Sequence, residues 1–319
     1  MLSPSRSLFV LALVAAAPSA LAWDGFGHMV VADVAWRDLK ANAPQLLARI
    51  DALLKLNPDY PKWIKGVPAS ARQEVAFVQA AHWADDIKSS TSGYVADGTN
   101  GGDTGVEPGA SDNLGYAPKD TAMHKYWHFV DAGFSPDGTP VAATPTPNVQ
   151  DRIVLFAQVL ASPTADDALK SYDLTWLIHL VGDIHQPLHA TTRFTADAPT
   201  GDEGGNLVKV SCSRSNACQN ELHAVWDDIL GSSRSPTTAI QYARTLAIPT
   251  GATVQTADDV WVAESRQMAQ ADAYAGVGNA TGGTHKLSGA YLAKAKVDAQ
   301  QRVALAGARL SWLIQQNLR

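Results

Sequence analysis

The chain has 319 residues, 46% of them hydrophobic, with 25 lysines and arginines against 31 aspartates and glutamates, a net charge of −6. That balance excludes a protein gripping nucleic acid through a basic face, which would be cationic; a polyanion would have to be drawn by something local, such as bound metal ions. The length allows one large or two modest domains, and with no linker or repeat in view one is expected.

Arg6, the apolar run from Ser7 to Ala17 and Pro18-Ser19-Ala20-Leu21-Ala22 read as the charged, apolar and cleavage regions of a secretory signal. The run is too short to span a bilayer and nothing later is long and apolar enough. Residues 1–22 are therefore expected to be removed and 23–319 exported, secreted or periplasmic, with one basic residue fewer and a charge of −7. Trp23 would then carry a free amine with a pKa of about 7.7–8.0, low enough to coordinate metal at neutral pH together with its own carbonyl. His28 follows a few residues on; a frayed terminus with a chance histidine is the alternative.

Met29 to Leu39 is apolar-periodic and predicts a helix. Asn42-Ala43-Pro44 predicts the start of a second helix, with Asn as cap and Pro in its first turn, ending near Asn57-Pro58. Ser70 and Gln73 read as the capping box of a third, running to about Lys88. Near its end stand Asp85 and Asp86, either of which suits a metal, a solvated pair being the alternative. Residues 89–123 are rich in Gly, Asp and Asn without periodicity and predict a long loop. His124 and His128 have metal-pair spacing on a helix, but the aromatic density and the proline-rich stretch from Pro136 to Pro147 predict an extended segment, where one of the two would point inward.

Helices are expected again at about 148–161 and 164–184. The second carries His179 and Asp183, four apart and so on one face, a donor pair that suits zinc. Gly182 leaves that face uncrowded, and Pro187 ends the helix before His189 supplies a third donor. Gly204 to Val210 alternates like a short strand of a hairpin. Cys212 and Cys218 are spaced for one small disulfide loop in an oxidising compartment. His223 to Leu230 is predicted helical and repeats the His-x3-Asp spacing with Asp227. Three further helices are expected at about 236–247, 256–272 and 288–317, and Asn279-Ala280-Thr281 is a glycosylation sequon in a eukaryotic host. Each His-x3-Asp pair alone is better explained by a surface helix pair or a buried, satisfied histidine; two such pairs and the processed terminus reverse that and favour metal.

In order along the mature chain, Trp23…His28, Trp83-Ala84-Asp85, His128-Phe129-Val130-Asp131, His179-x3-Asp183-x5-His189, Gly204-Gly205-Asn206 and His223-x3-Asp227 resemble the zinc-dependent single-strand nucleases and 3′-nucleotidases of the mung-bean, S-one and P-one nuclease type. Ala306-Gly307-x-Arg309-Leu310 resembles that family's last motif. The resemblance implies a mainly α, single-domain helical fold, similar to zinc phospholipase C, with one short β-hairpin and three zinc ions. By that resemblance Asp85, His128, His179 and Asp183 would hold one zinc; Trp23, His28 and a bridging Asp183 the second; His189, His223 and Asp227 the third. It also selects Asp85 over Asp86, His128 over His124 and Asp227 over Asp228, leaving His82, His124, His185 and His285 as structural or exposed.

The implied chemistry is attack on phosphorus by a hydroxide that two close zinc ions generate from water, whose pKa falls to about 7, with the third zinc on the departing 3′-oxygen. Asp85, Lys88 and Asp183 would serve catalysis. The family places an arginine where Lys88 stands, and lysine keeps the charge without the bidentate fork. Phe129 for stacking and Asp131 for the base edge, with Lys88 and Asn206, would take the substrate: single-stranded DNA, RNA or 3′-nucleotides, bound by a monomer away from any membrane. Asp24 also departs from the pattern, which has Gly there, and the 89–123 loop is longer than the family's and is expected to border the cleft, with Arg214 a weaker backbone contact. A zinc phospholipase C would have glutamate in place of Asp227, and a zinc-storage protein would need no base pocket.

Overall fold

Residues 23–96, 115–212, 220–251, 253–279 and 282–318 are described by the computed structural model of the chain. The predicted signal, Cys218 and Arg214, the middle of the 89–123 loop, and two of the three sequon residues lie outside them.

Helices dominate. α1 (Gly25–Asn42), α2 (Leu47–Leu54), α3 (Tyr60–Trp63), α4 (Arg72–Ala80) and α5 (Trp83–Asp86) precede α6 (Val149–Ala161) and α7 (Asp167–Asp183). α8 (Leu222–Asp228), α9 (Pro236–Ala243), α10 (Asp258–Met268) and α11 (Gly289–Asn317) complete the order. α1 is buried at every position from Phe26 to Trp36, and α7 at every position from Lys170 to Asp183. A helix with no polar face must lie inside the molecule, so these two form its middle. α1 packs on α11, α9 and α4, while α6, α11 and α2 cover α7. Among the described residues no helix is long and apolar enough to cross a membrane.

The Ala306-Gly307-x-Arg309-Leu310 motif has a packing explanation on both its faces. A Cβ at Gly307 would lie 2.5 Å from Val34 Cβ and 2.7 Å from Val31 O, so α11 crosses α1 at backbone distance. Arg309, fully buried, donates to Glu264 Oε2 at 2.7 Å, to Thr253 O at 2.8 Å and to His185 Nε2 at 2.9 Å. The motif thereby ties the last helix to the turn just after Asp183. Gly307→Ala would gain about 1 kcal/mol of helix propensity, but overpacking against backbone costs about 1–3 kcal/mol. We expect a net loss, seen as a lower urea midpoint with an unchanged m-value.

Among the described residues four strands form two parallel pairs: β1 (Gly133–Phe134) with β2 (Thr192–Arg193), and β3 (Val210–Cys212) with β4 (His285–Leu287). The predicted hairpin is short: the segments before and after the cysteine loop pair antiparallel at the Lys209–Glu221 bridge, with Val210 N donating to Asn220 O at 2.9 Å and Leu222 N to Val208 O at 3.0 Å. The alternating run from Gly204 cannot extend because Glu203, Gly204 and Gly205 take φ of 53°, 58° and 86°; consecutive left-handed residues make a turn.

Other boundaries moved. Asn42 ends α1, its Nδ2 donating to Asp38, and the next helix begins as a 3-10 turn at Pro44. Ser70 caps nothing; α4 starts at Arg72 behind another 3-10 turn. The long third helix is interrupted between Ala80 and Trp83, with Ala81 N and His82 N bonding three residues back. Segment 124–131 is not extended throughout: Lys125–His128 is a 3-10 turn, entered through His124 at φ 48° and stacked on Trp127.

The buried apolar residues fall into a large group, containing most of α1, α4, α6, α7 and α11, and a smaller one from α8, the 269–277 turn and the strands.

Candidate metal centre

The interruption after α4 has a consequence at the centre of the molecule. It frees the carbonyl of Ala81, which accepts a hydrogen bond from His179 Nδ1 at 2.6 Å. The same device recurs: His189 Nδ1 donates to His128 O at 2.8 Å, and His223 Nδ1 to Gly204 O at 2.8 Å. A carbonyl on Nδ1 fixes the tautomer and leaves the Nε2 lone pair pointing inward.

Around Asp183 the rings converge. Its Oδ2 lies 3.1 Å from His128 Nδ1 and 3.1 Å from His179 Nε2, and its Oδ1 3.3 Å from His28 Nε2. His28 stacks on His179 with ring centres 3.8 Å apart, and neither of its nitrogens has a hydrogen-bond partner. Gly182 makes room for this: a Cβ there would sit 2.8 Å from His28 Nδ1. Asp85 Oδ1 is 3.8 Å from His179 Nε2 and 3.9 Å from His128 Nδ1. Asp86 instead pairs with His82 at 2.7 Å.

A second gathering joins His189, His223 and Asp227. The two Nε2 atoms are 2.9 Å apart, with Asp227 Oδ2 3.6 Å from His223 and Oδ1 3.9 Å from His189. Among the described residues three donor groups are close enough for a shared ion: His28–Asp85–His179, His128–His179–Asp183 and His189–His223–Asp227. The first cuts across the predicted division, placing His28 against Asp85 and His179 as well as Asp183. Trp23 is fully buried beside both gatherings, its indole donating to Gly182 O at 3.1 Å while Asp24 N donates to Asp227 O at 3.1 Å.

The donors fit a cation. With Nδ1 of both His189 and His223 on carbonyls, the two Nε2 atoms approach to 2.9 Å, an arrangement that a cation between them would satisfy. Burial, then the neighbouring His223, hold His189 well below the usual imidazole range, and burial lowers His223 to about 4, which disfavours a proton in that place. Nor are the carboxylates balanced, since burial lifts Asp183 to about 7 and Asp227 well above the ordinary range. Imidazole and carboxylate in groups of three or more suit zinc.

Lys88 donates to Asp85 Oδ1 at 2.9 Å, its side chain only 5% exposed. Burial alone would raise Asp85, but the Lys88 ammonium overrides it and holds this carboxyl below its usual range. Phe129 is extended and half-buried, its ring 5.0 Å from that of Tyr126. Asp131, two residues on, is raised to about 6 by burial and by Glu203; Val130 between them is tied to His189 O at 2.8 Å. Asn206 is spent on its own loop, its Nδ2 donating to Glu203 O at 2.8 Å. His82, His124, His185 and His285 lie in none of the three donor groups. Sequence reasoning missed Gln186, wholly buried, whose Nε2 donates to Asp227 Oδ1 at 2.7 Å; a polar residue between two ligand positions, Asp183 and His189, was the available signal. Cys212 closes β3, but its predicted partner is outside the described residues.

Residues 23–319 match the model of the family described as S1/P1 Nuclease. The chain is also 36% identical over 91 residues to "Endonuclease 4" of Arabidopsis thaliana, covering 25% of this chain and 27% of that protein. It is 35% identical over 77 residues to "Endonuclease 3" of the same plant, covering 23% of each. The aligned stretches thus span about a quarter of the length of these curated relatives.

Proposed function

The chain belongs to the S1/P1 nuclease family, and from that premise we propose that it is an exported, zinc-dependent endonuclease and 3′-nucleotidase. It cuts single-stranded DNA and RNA, leaving 5′-phosphorylated products, and releases phosphate from 3′-nucleotides. The observation that carries this reading is the facing pair of Nε2 lone pairs on His189 and His223, beside a second ring of imidazoles around Asp183.

Asp85, His128, His179 and Asp183, then Trp23, His28 and Asp183, then His189, His223 and Asp227 are the sets that would hold three zinc ions. Bound there, zinc would lower the pKa of a water ligand to about 7 and offset the negative charge of a phosphodiester. The chain's own side chains do the rest. The carbonyls of Ala81, His128 and Gly204 lock three rings in their ligating tautomer before substrate arrives. Lys88 holds an ammonium beside Asp85, where it can draw in a phosphate oxygen as a point charge. Phe129 is extended and Val130 is tied to His189, so a base stacked on Phe129 would lie beside the metal ligands, with Asp131 at the tight turn that Ala132 N closes on Val130 O at 2.9 Å. Unpaired bases can stack there for about 1–3 kcal/mol each, whereas paired bases must first open. The Cys212–Cys218 disulfide and export through the signal at 1–22 belong to the same proposal.

The test is zinc removal and restoration. Dialysis against a chelator is expected to abolish release of acid-soluble nucleotides from denatured DNA, and added zinc to restore it. Phosphocholine release from lecithin should stay at background throughout. Undiminished DNA cleavage by metal-free protein would sink the proposal; lecithin cleavage would move it to the phospholipase class.

A further inference from the structure

The side chain of Gln186 joins the two halves of the His189–His223–Asp227 gathering. Its Nε2 donates to Asp227 Oδ1 on α8, 41 positions away, at 2.7 Å. Its Oε1 accepts from Leu188 N at 2.5 Å, capping the 3-10 turn Pro187–Ala190 that carries His189. Its backbone joins in as well: Gln186 N donates to Asp183 O at 2.9 Å, and His189 N donates to Gln186 O at 3.0 Å. The amide is fully buried with both its polar atoms paired, so its orientation is fixed: oxygen to the turn, nitrogen to the carboxylate. Behind it His185 is held through Nδ1 to Val181 O at 2.7 Å and through Nε2 by Arg309 at 2.9 Å, which stops the turn from rotating.

We propose that Gln186 is a positioning residue: it occupies Asp227 Oδ1, so that Oδ2, the oxygen nearer His223, is the one presented to a metal ion held with His189 and His223. The inference rests on the zinc reading of that gathering. Outer-shell partners of this kind typically contribute about 10–100-fold to metal affinity, and a glutamine suits the place because its neutral N–H takes up one carboxylate oxygen without adding charge beside a cation.

The experiment is a double-mutant cycle on zinc binding, read as equivalents retained against buffered free zinc and as the affinity of the weakest site. Gln186→Met is expected to weaken one of three sites about 10–100-fold and leave the other two unchanged. Asp227→Ala should weaken the same site at least as much, and adding Gln186→Met to Asp227→Ala should cost nothing further, since the effect runs through that carboxylate. Gln186→Glu keeps an acceptor for Leu188 N and removes the amide donor; it should reproduce the zinc loss and serves if the methionine variant does not fold. Losses that add in the double variant, or Gln186 variants that bind three zinc ions as tightly as the parent, overturn the inference and leave a plain turn cap. A parent protein that binds no zinc overturns the functional reading itself, a distinguishable result.

Discussion

Asp183→Asn is expected to remove two of three zinc equivalents and lower cleavage of denatured DNA by more than ~10²-fold, beyond the 10–100-fold typical of an outer-shell partner. The size follows from position. One carboxylate lies 3.1 Å from His128, 3.1 Å from His179 and 3.3 Å from His28, all of them fully or almost fully buried. It is the anion that two predicted ligand sets share, so its charge cannot be replaced from either side. Asparagine keeps the shape and one carbonyl oxygen but turns a donor site into an N–H, which repels a cation and leaves buried imidazoles unpaired. The variant is not expected to gain stability from losing a buried charge, because its partners remain in place and lose theirs. Zinc content by elemental analysis and turnover on denatured DNA check it together: three equivalents bound with parental turnover would refute the role given to Asp183. A protein that loses the zinc and keeps the turnover would instead show that metal and catalysis are separate.

How much of this was legible beforehand depended on sequence distance. His179 with Asp183, and His223 with Asp227, are four residues apart on helices, so helical periodicity alone sets them on one face. Gly182 was likewise readable as a position needing space. The approach of His28, Asp85 and His128 to the same point was not readable from spacing, because it depends on α1, α5 and a 3-10 turn packing around α7; there the family resemblance supplied what periodicity could not. The errors have physical causes of the same kind. The helix expected to run to Lys88 breaks after Ala80, and the break places a carbonyl on His179, so local propensity yields to a tertiary hydrogen bond. The strand expected from Gly204 begins only at Val210, because Glu203, Gly204 and Gly205 turn left-handed; the missing Cβ at Gly204, which would lie 2.4 Å from Leu188 O, lets that turn rest against the segment carrying His189. In both places the departure from the sequence rule leaves a carbonyl on a buried imidazole, Ala81 O on His179 and Gly204 O on His223.

The amino terminus gives the other large effect. Trp23 is fully buried, its indole on Gly182 O and its Cβ so near Gly27 that a side chain there would come within 2.8 Å. These contacts seat the residue by its side chain whether or not anything precedes it. What precedes it changes the chemistry of the nitrogen: a terminal amine near pKa 7.7–8.0 offers a lone pair at neutral pH, while a peptide nitrogen gives its lone pair to the amide bond. A chain beginning at Ala22 should therefore carry two zinc equivalents where one beginning at Trp23 carries three, and should cleave denatured DNA at least ~10-fold more slowly, as loss of a direct ligand must at least match loss of an outer-shell one. The metal-free forms should unfold at the same temperature, because the indole contacts are common to both. Mass spectrometry establishes which terminus is present, and elemental analysis counts the zinc. Equal zinc and equal turnover in the two chains would remove Trp23 from the ligand set, leaving His28 to be held by Asp85, His179 and Asp183 alone.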